Sequence, residues 1–91
     1  MFDVIAIYEE NHGFIGLANN YYNAVKWLIN GRWLTDDSDV YNPFNHSWKT
    51  VKEAFGDNWR ELMLNEWDEK HFCEVFDGCF YFRHNTVYLG E

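Results

Sequence analysis

Apolar positions arrive in blocks whose spacing changes along the chain. Val4, Ile5, Ala6 and Ile7 are consecutive, so an extended segment from Phe2 to Tyr8 has two apolar faces. That is the pattern of an interior strand. Glu9-Glu10-Asn11-His12-Gly13 then reads as a turn, and Phe14-Ile15-Gly16-Leu17 as a returning strand. Tyr21, Ala24, Val25, Leu28 and Ile29 recur at helical spacing behind a capping Asn19 or Asn20, and Asn30-Gly31 predicts a left-handed helix end. No period holds from Arg32 to His46, a stretch of about fifteen residues that is long for a loop in a compact domain. Trp33, Leu34, Tyr41 and Phe44 would pin it to the body. Ser47 then reads as the cap of a second helix, Trp48 to Phe55, stopped by Gly56. Asp57 opens a third at Asn58, where Trp59, Leu62, Met63, Glu66 and Trp67 keep a helical period that ends between Asn65 and Lys70.

From Phe72 onward the pattern alternates. Phe72 to Phe76, Cys79 to Arg83 and Thr86 to Leu89 read as three strands joined by Asp77-Gly78 and His84-Asn85. Asp-Gly between alternating runs is a hairpin signal, because a type I′ turn needs positive φ at both central residues. The register this sets puts Cys73, Val75, Phe80, Phe82, Val87 and Leu89 on one wholly apolar face. Phe72, Glu74, Phe76, Cys79, Tyr81, Arg83, Thr86 and Tyr88 fall on the other. The predicted order is β-β-α-α-α-β-β-β. It implies one α+β domain over residues 1–91, an antiparallel sheet of about five short strands with helices packed on one face.

Composition narrows the function classes. Five Trp, six Tyr and eight Phe in 91 residues exceed what so small a core needs, so some aromatic rings are expected at a partner-facing surface. The net charge of −8, with a pI near 4.8, argues against direct binding to nucleic acid or to an anionic membrane. A basic partner suits it better, although acids also keep an aromatic-rich chain soluble. Two cysteines are too few for a disulfide scaffold. No signal peptide and no apolar run of spanning length is visible, so the expected location is the cytoplasm.

Motifs for chemistry are weak. His71, Cys73, Cys79 and His84 are the residue types of a zinc site, but their spacing fits no usual knuckle and the predicted register splits the cysteines across the sheet. Asp36, Asp37 and Asp39 lack the glycine and terminal glutamate of a calcium loop. Ser38 and Ser47 sit in loop or cap contexts without a nucleophile elbow. No metal, cofactor or catalytic residue is expected. The acids are clustered: Asp36, Asp37 and Asp39; then Asp57, Glu61, Glu66, Asp68 and Glu69; then Glu74 and Asp77. Asp57 and Glu61, four apart, would share a helix face, and a ridge of carboxylates can imitate a row of phosphates. The bland alternative is a solvated acidic helix side.

The stretch Gly13-Phe14-Ile15-Gly16-Leu17-Ala18-Asn19-Asn20 before a helix, the small size, the acidity and the Asn- and Tyr-rich α+β layout resemble small proteins of phages and mobile elements of low-GC Gram-positive bacteria, among them anti-CRISPR proteins. The resemblance is one of kind and carries over no site residue. It implies a non-enzymatic inhibitor that binds a basic nucleic-acid-handling protein, in its most specific version a CRISPR effector nuclease, inside a bacterial host. The partner-binding candidates are Asp36, Asp37, Asp39, Asp57, Glu61, Glu66, Asp68, Glu69, Glu74, Tyr81 and Tyr88. The competing expectation is an adaptor or self-associating domain that binds through an aromatic sheet face.

Overall fold

The computed structural model describes residues 2–42 and 44–87, so Tyr88, Leu89 and the expectations placed on them lie outside the described residues. The apolar run at the start forms β1 (Phe2–Glu9), which turns through Gly13 into β2 (Gly13–Ala18). A long strand from the far end of the chain, β5 (Phe80–Val87), pairs with the other edge of β1. The sheet order is β2-β1-β5, antiparallel throughout, with the two-sided apolar strand in the middle as its pattern requires.

Helix α1 (Tyr21–Asn30) starts where expected: the Asn20 side chain accepts from Asn23 N at 2.8 Å. It ends differently. Gly31 has φ −81° and Arg32 takes the left-handed position at φ +63°. The stretch read as a loop contains β3 (Asp39–Asn42), paired with β4 (Ser47–Thr50) in a separate two-stranded sheet. Ser47 therefore opens a strand, not a helix. The cap belongs to Thr50, whose hydroxyl accepts from Glu53 N while the Glu53 carboxylate accepts from Thr50 N. That reciprocal pair is a capping box, and it delays α2 to Val51–Phe55. Asn58 precedes α3 (Trp59–Asn65).

The largest departure follows. Phe72 to Phe76 is not a strand. Helix α4 (Glu69–Val75) occupies it, started by Asp68, whose carboxylate accepts from His71 N at 2.8 Å. Phe72 and Phe76, four residues apart, both point into the core at 0% and 2% exposure. A strand would have placed them on the open face. The Asp77-Gly78 turn exists, with Gly78 at φ +83°, but it joins a helix to a strand and only Gly78 is left-handed. His84-Asn85 is no turn: β5 runs straight through it, bonded along the whole of β1.

Over the described residues the architecture is α+β with five strands and four helices, in the order β-β-α-β-β-α-α-α-β. The helices cover one face of the three-stranded sheet. Ile7, Leu28, Val51, Trp59, Met63, Phe72, Phe76 and Phe80 meet there in one apolar cluster. Cross-strand register puts Phe82 opposite Ile7 on this face and Tyr81 opposite Tyr8 on the other. Phe80 is buried, Phe82 is half-buried and Tyr81 is 52% exposed, as the alternation of the 80–83 segment predicts.

Candidate partner-binding surfaces

Several of the candidate acids are occupied within the fold. The carboxylate of Asp36 accepts from the indole Nε1 of buried Trp59 at 2.6 Å and lies 3.2 Å from the Arg60 guanidinium. The Trp59 hydrogen bond, with Arg60 and Lys52 adding to it, holds this carboxyl below its usual range. Asp36 is thus the tie between the 32–38 segment and the start of α3. Asp57 lies before the Asn58 cap, outside α3, and pairs with Lys52 at 3.5 Å. Asp68 caps α4. Glu69 binds His84 Nε2 at 2.7 Å, linking α4 to β5. The single acidic ridge from 57 to 69 does not form, because the chain breaks between α3 and α4 at residues 66–68.

A second set is unoccupied. Asp37, Asp39, Glu61, Glu66 and Glu74 are exposed. Among the described residues none of the five makes an ion pair. Glu61 is in the first turn of α3, Glu66 caps its end, and Glu74 is on the outer side of α4.

Two hollows flank the β3–β4 hairpin. A groove of about 450 Å³ is floored by Val40, Ala54, Phe55 and Val75, with Lys49 and Glu74 at its edge and Phe44 beside it, 95% exposed. A cleft of about 270 Å³ lies on the opposite side, between Glu9, Glu10, Asp39 and Trp48 above a floor of Phe76, Cys79 and Phe80. The main chain closes that floor, with Glu10 N donating to Cys79 O at 2.9 Å. Burial, with Glu10, Glu9, Asp39 and Asp77 adding, pushes the Cys79 thiol above its ordinary range. Burial, then Glu69, does the same to Cys73.

The helix-free face of the three-stranded sheet has a different character. Tyr8 stacks on Tyr81 with centroids 5.1 Å apart and planes 2° from parallel, and meets Phe14 edge-on at 5.9 Å. Phe14 and Leu17 are 55% and 57% exposed. Arg83 is the charged side chain of this face at the described positions of β5.

The zinc candidates do not assemble. Cys73 is on α4, Cys79 in the turn after it, and His84 is engaged by Glu69. Among the described residues no group of three or more His, Cys, Asp or Glu is placed to hold a metal ion. No described helix is long and apolar enough to cross a membrane. The pattern reading missed Tyr41, Phe44 and Trp48 as surface residues. It assigned two as pins for a loop and one to a helix, because neither Asp39-Val40-Tyr41-Asn42 nor Ser47-Trp48-Lys49-Thr50 carries a strand period that would mark the hairpin. The chain matches no family model, no curated protein and no solved structure.

Proposed function

We propose that this chain is a non-enzymatic inhibitor that binds a basic nucleic-acid-handling protein, its most specific form being an anti-CRISPR protein that blocks a CRISPR effector nuclease inside a bacterial cell. The observation that carries the reading is the set of exposed carboxylates with no ion pair among the described residues: Asp37, Asp39, Glu61, Glu66 and Glu74. They belong to a chain of net charge −8. Acids whose carboxylates cap helices or tie elements together are accounted for by the fold; the carboxylates of these five make no such bond among the described residues, Glu66 ending α3 through its backbone alone. Retained like charge costs self-repulsion, and it gains a return when a cationic surface arrives.

The test is cleavage of target DNA by a panel of purified CRISPR effector nucleases, with the chain added over a salt series. Asp37→Asn, Asp39→Asn, Glu61→Gln and Glu66→Gln are combined in one variant. Neutralising four exposed carboxylates together weakens inhibition about thirtyfold at low salt, and single changes do little. Wild-type potency falls as salt rises, more steeply than that of the variant. A quadruple variant equal to wild type at every salt concentration refutes the reading.

A second reading, an adaptor that uses its sheet face, is favoured by the exposed Phe14–Tyr8–Tyr81 row. It predicts that Tyr81→Ala abolishes partner binding and that salt has little effect.

A further inference from the structure

The β3–β4 hairpin carries two neighbouring rings that the core does not use. Tyr41 and Trp48 are cross-strand partners with centroids 5.0 Å apart, and they are 40% and 63% exposed. The hairpin is well held despite this exposure. Tyr41 OH is hydrogen-bonded to His46 Nδ1 at 2.8 Å, and the Asn42 and Asn45 side chains bond the backbone of the turn. A rigid pair of exposed aromatic rings is the usual make-up of a binding surface.

We propose that the Tyr41–Trp48 face of this hairpin is the docking surface for an arginine-bearing segment of the partner protein. The proposal rests on the basic-partner reading above and says where that partner lies. Three observations select the occupant. Asp39 shares the face, two residues before Tyr41 on the same strand. Trp48 and Asp39 line the cleft that also holds Glu10, and neither Asp39 nor Glu10 has an ion-pair partner among the described residues. Lys49 alternates to the side of the hairpin opposite Trp48 and lines the other groove, to which Tyr41 also contributes, so Lys49 is not among the residues lining the Trp48 cleft.

An apolar or anionic occupant would bury or oppose these carboxylates without compensation. A cation meets them. Guanidinium fits better than ammonium, because its plane can lie on an indole ring while its N–H groups reach carboxylates on two sides. The floor of Phe76 and Phe80 suits the methylene stem of the same side chain.

The experiment uses the whole chain labelled with ¹⁵N and the peptide acetyl-Gly-Arg-Gly-Arg-Gly-amide at low salt. Counterparts with lysine and with uncharged citrulline replace the arginines. The Trp48 indole resonance is assigned by its loss in Trp48→Phe. The arginine peptide shifts that resonance together with the Glu10 and Asp39 amides. The lysine peptide binds several-fold more weakly, and the citrulline peptide causes no shift. Glu10→Gln with Asp39→Asn weakens the arginine peptide about tenfold. Unmoved amides in α1 show that this variant is folded, and the three-peptide comparison on wild type stands without it. If the arginine peptide moves Glu61 and Glu66 but leaves Trp48 in place, the docking face is wrong and the basic-partner reading survives. If it moves no resonance, and nuclease inhibition is also insensitive to the acids, both fall. If Trp48 shifts with protein concentration alone, a second copy occupies the face and the proposal is overturned.

Discussion

Phe72 tests the fold at the point where two readings of the same residues diverge. In the structure it is 0% exposed on α4 and stacks on Phe82, with centroids 5.3 Å apart and planes 10° from parallel. It also meets Phe76 at 4.8 Å and the edge of Tyr21 at 6.1 Å. Truncating a buried phenylalanine to alanine costs about 3–5 kcal/mol, from lost transfer energy and from the cavity left behind. A 91-residue domain has about 5–14 kcal/mol of stability in all. Phe72→Ala therefore removes a third or more of the margin at typical values. At roughly 4–8 °C per kcal/mol it lowers Tm by more than about 12 °C. Phe72→Leu keeps much of the volume and costs about 1–2 kcal/mol, so it stays measurable if the alanine variant does not fold. Val75 is only half-buried, and Val75→Ala costs about 1 kcal/mol or less. Urea titrations followed by far-UV circular dichroism give the three values. A strand over 72–76 would reverse the ranking, since Val75 would be in the core and Phe72 in water. A larger loss for Val75→Ala than for Phe72→Ala refutes the helical placement.

Gly16→Ala should destabilise by about 1–3 kcal/mol, because the added Cβ would lie 2.8 Å from the Trp27 ring; calorimetry of the variant checks this, and an unchanged Tm would contradict it. Tyr21→Phe removes the hydroxyl that donates to Met63 O at 2.7 Å and ties α1 to α3, at a cost of about 1 kcal/mol in the same assay. Stability should fall in acid. The His12 bond on Glu9, the Trp59 bond on Asp36 and the Thr50 amide on Glu53 each lower a folded carboxyl pKa. Their contribution is complete above the unfolded carboxyl range, near pH 4–4.5, and is lost as pH falls through the lower folded values. Thermal melts from pH 7 to 2 should show a shallower acid limb in Asp36→Asn, and added salt should shrink the difference. Burial raises the thiol pKa of Cys73 and Cys79, so iodoacetamide at pH 8 should alkylate the folded chain more slowly than the urea-unfolded chain.

Elements with a single dominant period were legible in the sequence. The apolar block of β1, the stripe of α1 and the tryptophan-spaced α3 each satisfy one template and appear where that template places them. Phe72-Cys73-Glu74-Val75-Phe76 satisfies two. Cys73 and Val75 are two apart, as on one strand face, and its phenylalanines are four apart, as on one helix face. The deciding signal stood upstream, where Asp68 precedes the first turn as an N-cap and commits the segment to helix. In the same way, Thr50 with Glu53 marks the start of α2 more strongly than Ser47 does. The acids were visible as clusters, but their duties were not. Asp36 meets Trp59 across a span of chain that no local pattern covers, and only the fold separates a structural carboxylate from an idle one.

The pairing of β1 with β5 also governs the order in which this molecule can be assembled. Its contacts run from Glu9 with Phe80 to Phe2 with Val87, joining the earliest and latest described segments. Loop closure on that scale must precede any gain from the ladder, so this step should dominate the folding barrier while the helices and the two local hairpins form quickly. During synthesis β1 emerges before β5 and waits with one edge bare until β5 has left the ribosome. An apolar strand with a free edge is a template for pairing with other chains. The vulnerable period of this protein is therefore its own translation, and slow elongation between the codons of β1 and those of β5 should lower its yield more than any single surface substitution.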